Sequence, residues 1–174
     1  MNEEFVSSLL SDAASPDLLD DDRIYDRLVG SWNVRVIDYS TDGVRTETGG
    51  EWHFSYVLDG RAVQDVFIVP ARTDRTLETP KIRNRYGTSV RSFHPTRGEW
   101  TVTWINPVTG AHNVLVAQKD GDDIIQNGRD ADGSLMRWGF TDIVNDSARW
   151  YGERSRDEGE TWQLEAEFFL TRIS

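Results

Sequence analysis

Gly30-Ser31-Trp32-Asn33-Val34-Arg35-Val36 is where the chain changes period. From Trp32 the side chains alternate in twos, so Trp32, Val34 and Val36 share one face of a strand, with Asn33, Arg35 and Tyr39 on the other. Toward the N-terminus the rhythm is helical instead. Ser15 is placed to cap, Pro16 sits at the first helical position, Asp17 lies near the positive end of the dipole, and Gly30 follows as a stop. Leu18, Leu19, Tyr25, Leu28 and Val29 supply an apolar stripe, so a helix is expected over 16–29. Residues 1–14 read as a polar, acidic lead-in, either frayed or a short helix using Phe5, Leu9 and Leu10, and the domain proper spans 15–174.

Downstream of Trp32, turn signals punctuate the alternation: Asp42-Gly43, Asp59-Gly60, Arg97-Gly98, Thr109-Gly110, Asp120-Gly121, Asp132-Gly133, Asn145-Asp146 and Glu158-Gly159. After residue 95 they recur roughly every 11 to 14 residues, which leaves no room for crossover helices. Ten strands are expected, at about 32–39, 45–57, 61–69, 86–93, 99–105, 111–118, 123–129, 134–143, 147–155 and 161–173. Hairpins join them into an antiparallel meander. Closing it into a barrel removes the two exposed edges. One parity puts inward Trp52, Phe54 and Tyr56, then Trp100, Val102 and Trp104, then Met136, Trp138 and Phe140, then Trp162 through Arg172. In strand 86–93 Tyr86, Thr88 and Val90 read as inward against Arg85 and Arg91 outward. Strands 61–69, 111–118 and 147–155 declare no clear face.

The chain has 174 residues, one domain of ordinary size, and a formal charge of −11. That balance argues against nucleic acid and against an anionic membrane surface, both of which need clustered Lys and Arg. No apolar run is long enough to span a bilayer, and Met-Asn-Glu-Glu is acidic where a signal peptide is basic. Zero cysteines exclude a disulfide framework, a thiol nucleophile and thiolate metal sites. A cytoplasmic protein is expected. Seven Trp, seven Phe and five Tyr suit sheets and pockets for flat ligands.

Gly30-Ser31-Trp32 opening the first strand resembles the Gly-x-Trp signature of lipocalins and the wider calycin group. The resemblance implies that Trp32 closes the barrel floor and that an Arg near the end of the last strand, here Arg172, covers it. An even strand count brings the two to the same end; a count of nine does not. More narrowly, the chain resembles a family of bacterial lipocalin-like proteins through Val57-Leu58-Asp59-Gly60-Arg61-Ala62, Pro95-Thr96-Arg97-Gly98-Glu99-Trp100, Met136-Arg137-Trp138, Trp150-Tyr151-Gly152-Glu153-Arg154-Ser155 and Gly159-Glu160-Thr161-Trp162. The resemblance covers about residues 28–173. It implies an all-β, ten-stranded antiparallel up-and-down lipocalin-like barrel with a short N-terminal helix, and no reaction.

Strand direction places Trp52, Tyr86, Trp104 and Trp138 nearest the open rim, with Asp38 and Asn106 as polar anchors. Phe54, Tyr56, Trp100 and Phe168 sit lower and read as packing. The connection 70–85 carries Arg72, Arg75, Lys81, Arg83 and Arg85 against Asp74 and Glu78. It reads either as a solvated loop or as a cationic flap in which Arg83 and Arg85 attract an acidic ligand. His53, His94 and His112 lack metal-ligand spacing, and His112 is the single candidate for a haem ligand. No nucleophile elbow or phosphate loop is present. The expected function is binding of a small, largely apolar molecule, uncharged or anionic, in the barrel without a cofactor. The alternatives are a cofactor-free isomerase, cyclase or hydratase on a polyketide- or terpenoid-like substrate, and an interaction module that dimerises through Tyr39, Phe169 or Ile173.

Overall fold

A computed structural model describes residues 2–78 and 84–173. A two-residue strand, β1 (Leu10–Ser11), precedes ten longer ones. These are β2 (Gly30–Tyr39), β3 (Arg45–Val57), β4 (Ala62–Val69), β5 (Arg85–His94) and β6 (Glu99–Asn106), followed by β7 (Ala111–Asp120), β8 (Asp123–Arg129), β9 (Leu135–Thr141), β10 (Ser147–Ser155) and β11 (Gln163–Arg172). From β2 onward each strand pairs antiparallel with its chain neighbour. Strand β11 then pairs back onto β2, from Ala166↔Asp38 to Arg172↔Trp32. The sheet is a closed, ten-stranded, up-and-down, lipocalin-like barrel.

Its floor is built as the Gly-x-Trp resemblance implies. The Arg172 guanidinium lies 4.0 Å from the Trp32 ring centre, and Trp32 Nε1 donates to Leu28 O at 2.8 Å. Gly30 has φ +127°, and a Cβ there would collide with Arg172 Nη1, so two independent constraints hold that position to glycine.

The expected helix over 16–29 does not form. The segment makes two single 3₁₀ turns, Asp20–Asp22 and Asp26–Leu28, and the α-helix lies earlier, α1 (Glu3–Leu9), capped by Asn2. Tertiary contacts take the carbonyls that a helix would use internally. Asp22 O accepts from Trp100 Nε1, Leu28 O from Trp32 Nε1, and Arg27 O and Val29 O from Arg172. Leu18, Tyr25 and Leu28 are buried one by one as plugs in the floor, while Leu19 stays exposed. Ser15 donates its backbone N–H to Gly60 O at 2.9 Å, and β1 pairs with the end of β3. The lead-in is thereby stitched along the barrel wall.

Interior parity holds along β2, β3, β6, β9 and β11, where Val34, Val36, Trp52, Phe54, Val102, Met136, Phe140, Ala166 and Phe168 are buried. It is inverted along β5. Gly87, Ser89 and Arg91 are buried there, and Tyr86 is 39% exposed. The reason is a charge inside the barrel: Asp65 on β4 is fully buried, and Arg91 on β5 turns inward to meet it. Among the described residues no helix is long and apolar enough to cross a membrane.

Candidate ligand site

Side chains fill the Trp32 half of the barrel, and the rim half encloses a cavity of about 240 Å³. Its walls are aromatic. Phe168 lies between Trp150 (ring centres 4.2 Å apart, planes 13° apart) and Phe67 (5.0 Å, 24°). Trp52 packs against Phe67 at 4.7 Å, Trp138 against Trp150 at 5.8 Å, and Trp104 against Phe67 at 6.3 Å. Two glycines make room for these rings: a Cβ at Gly87 would strike the Trp104 indole, and one at Gly152 would lie 2.7 Å from Trp150.

The polar members are arginines with matching acids. At the mouth Arg85 Nη2 donates to Asp38 Oδ1 at 2.5 Å, and its guanidinium sits 5.7 Å from the Phe168 ring centre. Across the opening Arg154 Nε donates to Glu165 at 2.7 Å, and its Nη1 donates to Asp130 at 2.8 Å. Deeper in, Arg91 Nη1 lies 2.6 Å from Asp65 Oδ2, with 2% and 0% side-chain exposure. The geometry is that of an ion pair rather than a well-aligned hydrogen bond, because neither atom has a partner in line. Asp65 Oδ1 accepts the Ser89 backbone N–H at 3.0 Å. The Arg91 guanidinium is 5.1 Å from the Tyr25 ring centre and 5.4 Å from that of Phe54. Burial pushes the Tyr25 phenol well above its usual range, so it stays a neutral donor, here to Gln126 at 3.2 Å.

Of the residues anticipated for the site, Trp52, Trp104, Trp138, Asp38 and Arg85 line this cavity together. Trp52, expected near the open rim, instead pairs across the sheet with the floor residue Trp32 and so closes the cavity's inner end. Tyr86 does not line the cavity. It lies on the outer face with the Arg75 guanidinium 5.0 Å from its ring centre, a consequence of the inverted β5 parity. Asn106 is buried but builds a turn, its Oδ1 accepting from Val108 N at 3.1 Å. Arg83 lies outside the described residues. The described start of the 70–85 connection is held against the barrel's outside. Arg72 donates to Glu51 through Nε (2.9 Å) and Nη2 (2.7 Å), and Arg75 donates to the Arg85 carbonyl at 3.2 Å.

His112 is exposed on β7 alongside Val114 and Val116, while Leu115 and Ala117 are buried, so the one candidate haem ligand faces outward. On the outer face Tyr39 donates to Glu167 at 2.7 Å, Arg35 covers Phe169 at 4.4 Å, and Ile173 is exposed.

Sequence reasoning does not reach Arg91, Ser89 and Phe67, because strand 61–69 declares no face and the hydrophobicity pattern of strand 86–93 points to the wrong one. It also misses Trp150 and Arg154 on β10, where alternation alone gives Trp150, Gly152 and Arg154 a common face. Phe168, read as packing, both packs and lines the cavity.

No protein-family model matches the chain, and no curated protein does. Among solved structures it is similar to the S-type phycobiliprotein lyase CPES from Guillardia theta. That match has a TM-score of 0.57 at 12% identity and covers 88% of this chain and 96% of that one. It is also similar to Rv2717c from M. tuberculosis, with a TM-score of 0.59 at 15% identity, covering 91% and 100%. At such identities the likeness shows the fold, a lipocalin-like barrel matched along nearly its whole length.

Proposed function

We propose that the protein binds one small, flat, largely apolar molecule in the rim half of its barrel. The observation that carries this reading is the 240 Å³ cavity with its six aromatic walls, Trp52, Phe67, Trp104, Trp138, Trp150 and Phe168. A dry cavity of roughly 150 Å³ takes benzene, and drug-sized pockets begin at about 300 Å³. One or two fused rings therefore match the volume. A barrel of the same plan belongs to a phycobiliprotein lyase, which supports small-molecule chemistry for the fold without naming this chain's ligand. The motifs of the bacterial family and the absence of cysteine fit a cytoplasmic binding protein of that group.

The enzyme alternative needs a proton donor or acceptor free at the cavity. Asp38 and Glu165, the carboxylates that line it, are tied to Arg85 and Arg154, which favours binding over catalysis. Tryptophan emission titrated with a panel of fatty acids, retinoids and bicyclic aromatic compounds tests the reading. Saturable quenching by the bicyclic compounds is expected, and Ala166→Leu, which fills the cavity from its wall, should abolish it while the protein stays folded. No saturable quenching by any member, or quenching indifferent to the filled cavity, overturns it.

A further inference from the structure

The cavity's inner end holds hydrogen-bond donors with no acceptor among the described residues. Trp52 Nε1 and Arg91 Nε are both buried, neither has a partner among those residues, and both side chains belong to the cavity lining. Gln126 Nε2 is a third buried donor without an acceptor, on the strand beside Trp138. Leaving such groups unpaired is costly, so a ligand offering an acceptor there gains more than the contact alone suggests.

Charge decides the kind of acceptor. Arg91 is already neutralised by Asp65 at 2.6 Å, and both are out of water. An anionic ligand would make the buried sum negative with nothing to compensate it, which is strongly unfavourable. The mouth repeats the pattern, Arg85 being matched by Asp38 and Arg154 by Glu165 and Asp130. We propose that the recognised group is an uncharged carbonyl-type oxygen on an aromatic frame, seated against Trp52 Nε1 and Arg91, and that carboxylates are discriminated against. This rests on the rim cavity being a ligand site.

The test is calorimetric titration near pH 7 with three molecules of one shape: 2-acetylnaphthalene, 2-ethylnaphthalene and 2-naphthoate. The ketone should bind about tenfold more tightly than the hydrocarbon, and the carboxylate at least about tenfold more weakly than the ketone. Trp52→Phe should reduce the ketone's advantage over the hydrocarbon to about threefold or less, whatever the change in the hydrocarbon's own affinity. Asp65→Asn, which strips Arg91 of its counter-charge, should make the carboxylate the preferred ligand of the three. Should that variant fail to fold, Trp52→Phe decides alone. Equal binding of ketone and hydrocarbon to the unaltered protein overturns the acceptor inference while the cavity reading stands. Tightest binding of the carboxylate overturns the charge argument. If none of the three saturates, the cavity reading itself falls, and this inference with it.

Discussion

The Arg172 guanidinium covers the Trp32 indole while donating to three carbonyls: Asn145 through Nε (2.5 Å), Val29 through Nη1 (2.8 Å) and Arg27 through Nη2 (2.7 Å). One side chain thus fastens the last strand to the N-terminal segment and to the connection between β9 and β10. An ammonium has no planar fork for this task. Arg172→Lys is expected to cost about 2 kcal/mol and Arg172→Ala about 3 kcal/mol, from lost hydrogen bonds and the uncovered ring. Urea unfolding followed by tryptophan emission measures both. A loss below about 0.5 kcal/mol for the alanine variant would remove Arg172 from the closure of the floor.

Asp65 and Arg91 form the charge pair in the barrel interior. Removing either alone strands the other out of water, so Asp65→Asn and Arg91→Met should each cost about 3–5 kcal/mol. Combined, they should cost clearly less than the sum, with a coupling of at least about 1 kcal/mol. Additive losses in the double-mutant cycle would mean that the two charges do not depend on each other.

How legible this molecule is from sequence depends on which force sets each feature. Turn chemistry and alternation are local, so strand ends such as Arg45–Val57 and Ser147–Ser155 fall where the residues place them. Closure is also legible, because the strand count and the Trp32–Arg172 pair make one geometric statement. The segment 16–29 has helical local chemistry, yet its carbonyls are claimed by Trp32, Trp100 and Arg172 from elsewhere in the chain. Tyr86 and Arg91 were exchanged for a related reason. A hydrophobicity pattern sends arginine outward and tyrosine inward, and only the buried carboxylate of Asp65, on a strand with no readable face, reverses that order. Trp52, Trp104 and Trp138 are legible because their strands alternate cleanly, and Asp38 and Arg85 because strand direction and the cationic connection place them at the rim. Asp65, Arg91 and Arg154 are hidden because alternation read by hydrophobicity sends charges outward.

Glu51 links β3 to the start of the long connection. Hydrogen bonds from Arg72 hold its carboxyl down at about 2, from an ordinary 4.5. The folded-state value lies below the unfolded one, so deprotonation favours the fold. Glu51 therefore contributes stability that is whole above about pH 4.5 and lost as the pH falls toward 2. Because Arg72 is largely exposed, the contribution is only about 1 kcal/mol after solvent screening. Glu51→Gln should accordingly unfold at lower urea than the unaltered protein at pH 7, and the two should converge near pH 2. A gap between their urea midpoints that does not change with pH would assign the difference to packing rather than to the ion pair.

Gly87 ties the strand geometry to the cavity. It faces inward on β5, where a Cβ would collide with the Trp104 indole and lie 2.5 Å from the Ile105 carbonyl oxygen. The carbonyl belongs to β6, hydrogen-bonded to its neighbours on both sides, and cannot retreat cheaply. The indole can, and the open space beside it is the cavity that it already lines. Gly87→Ala should therefore drive Trp104 into the cavity. The expected cost is about 1–3 kcal/mol of stability from overpacking, with a loss of at least about tenfold in affinity for any bicyclic ligand that saturates the unaltered protein. Adding Trp104→Leu removes the displaced ring and should recover most of the affinity, while the part of the stability loss set by the Ile105 carbonyl remains. A Gly87→Ala protein that binds normally would place the ligand away from Trp104 and outside the rim cavity.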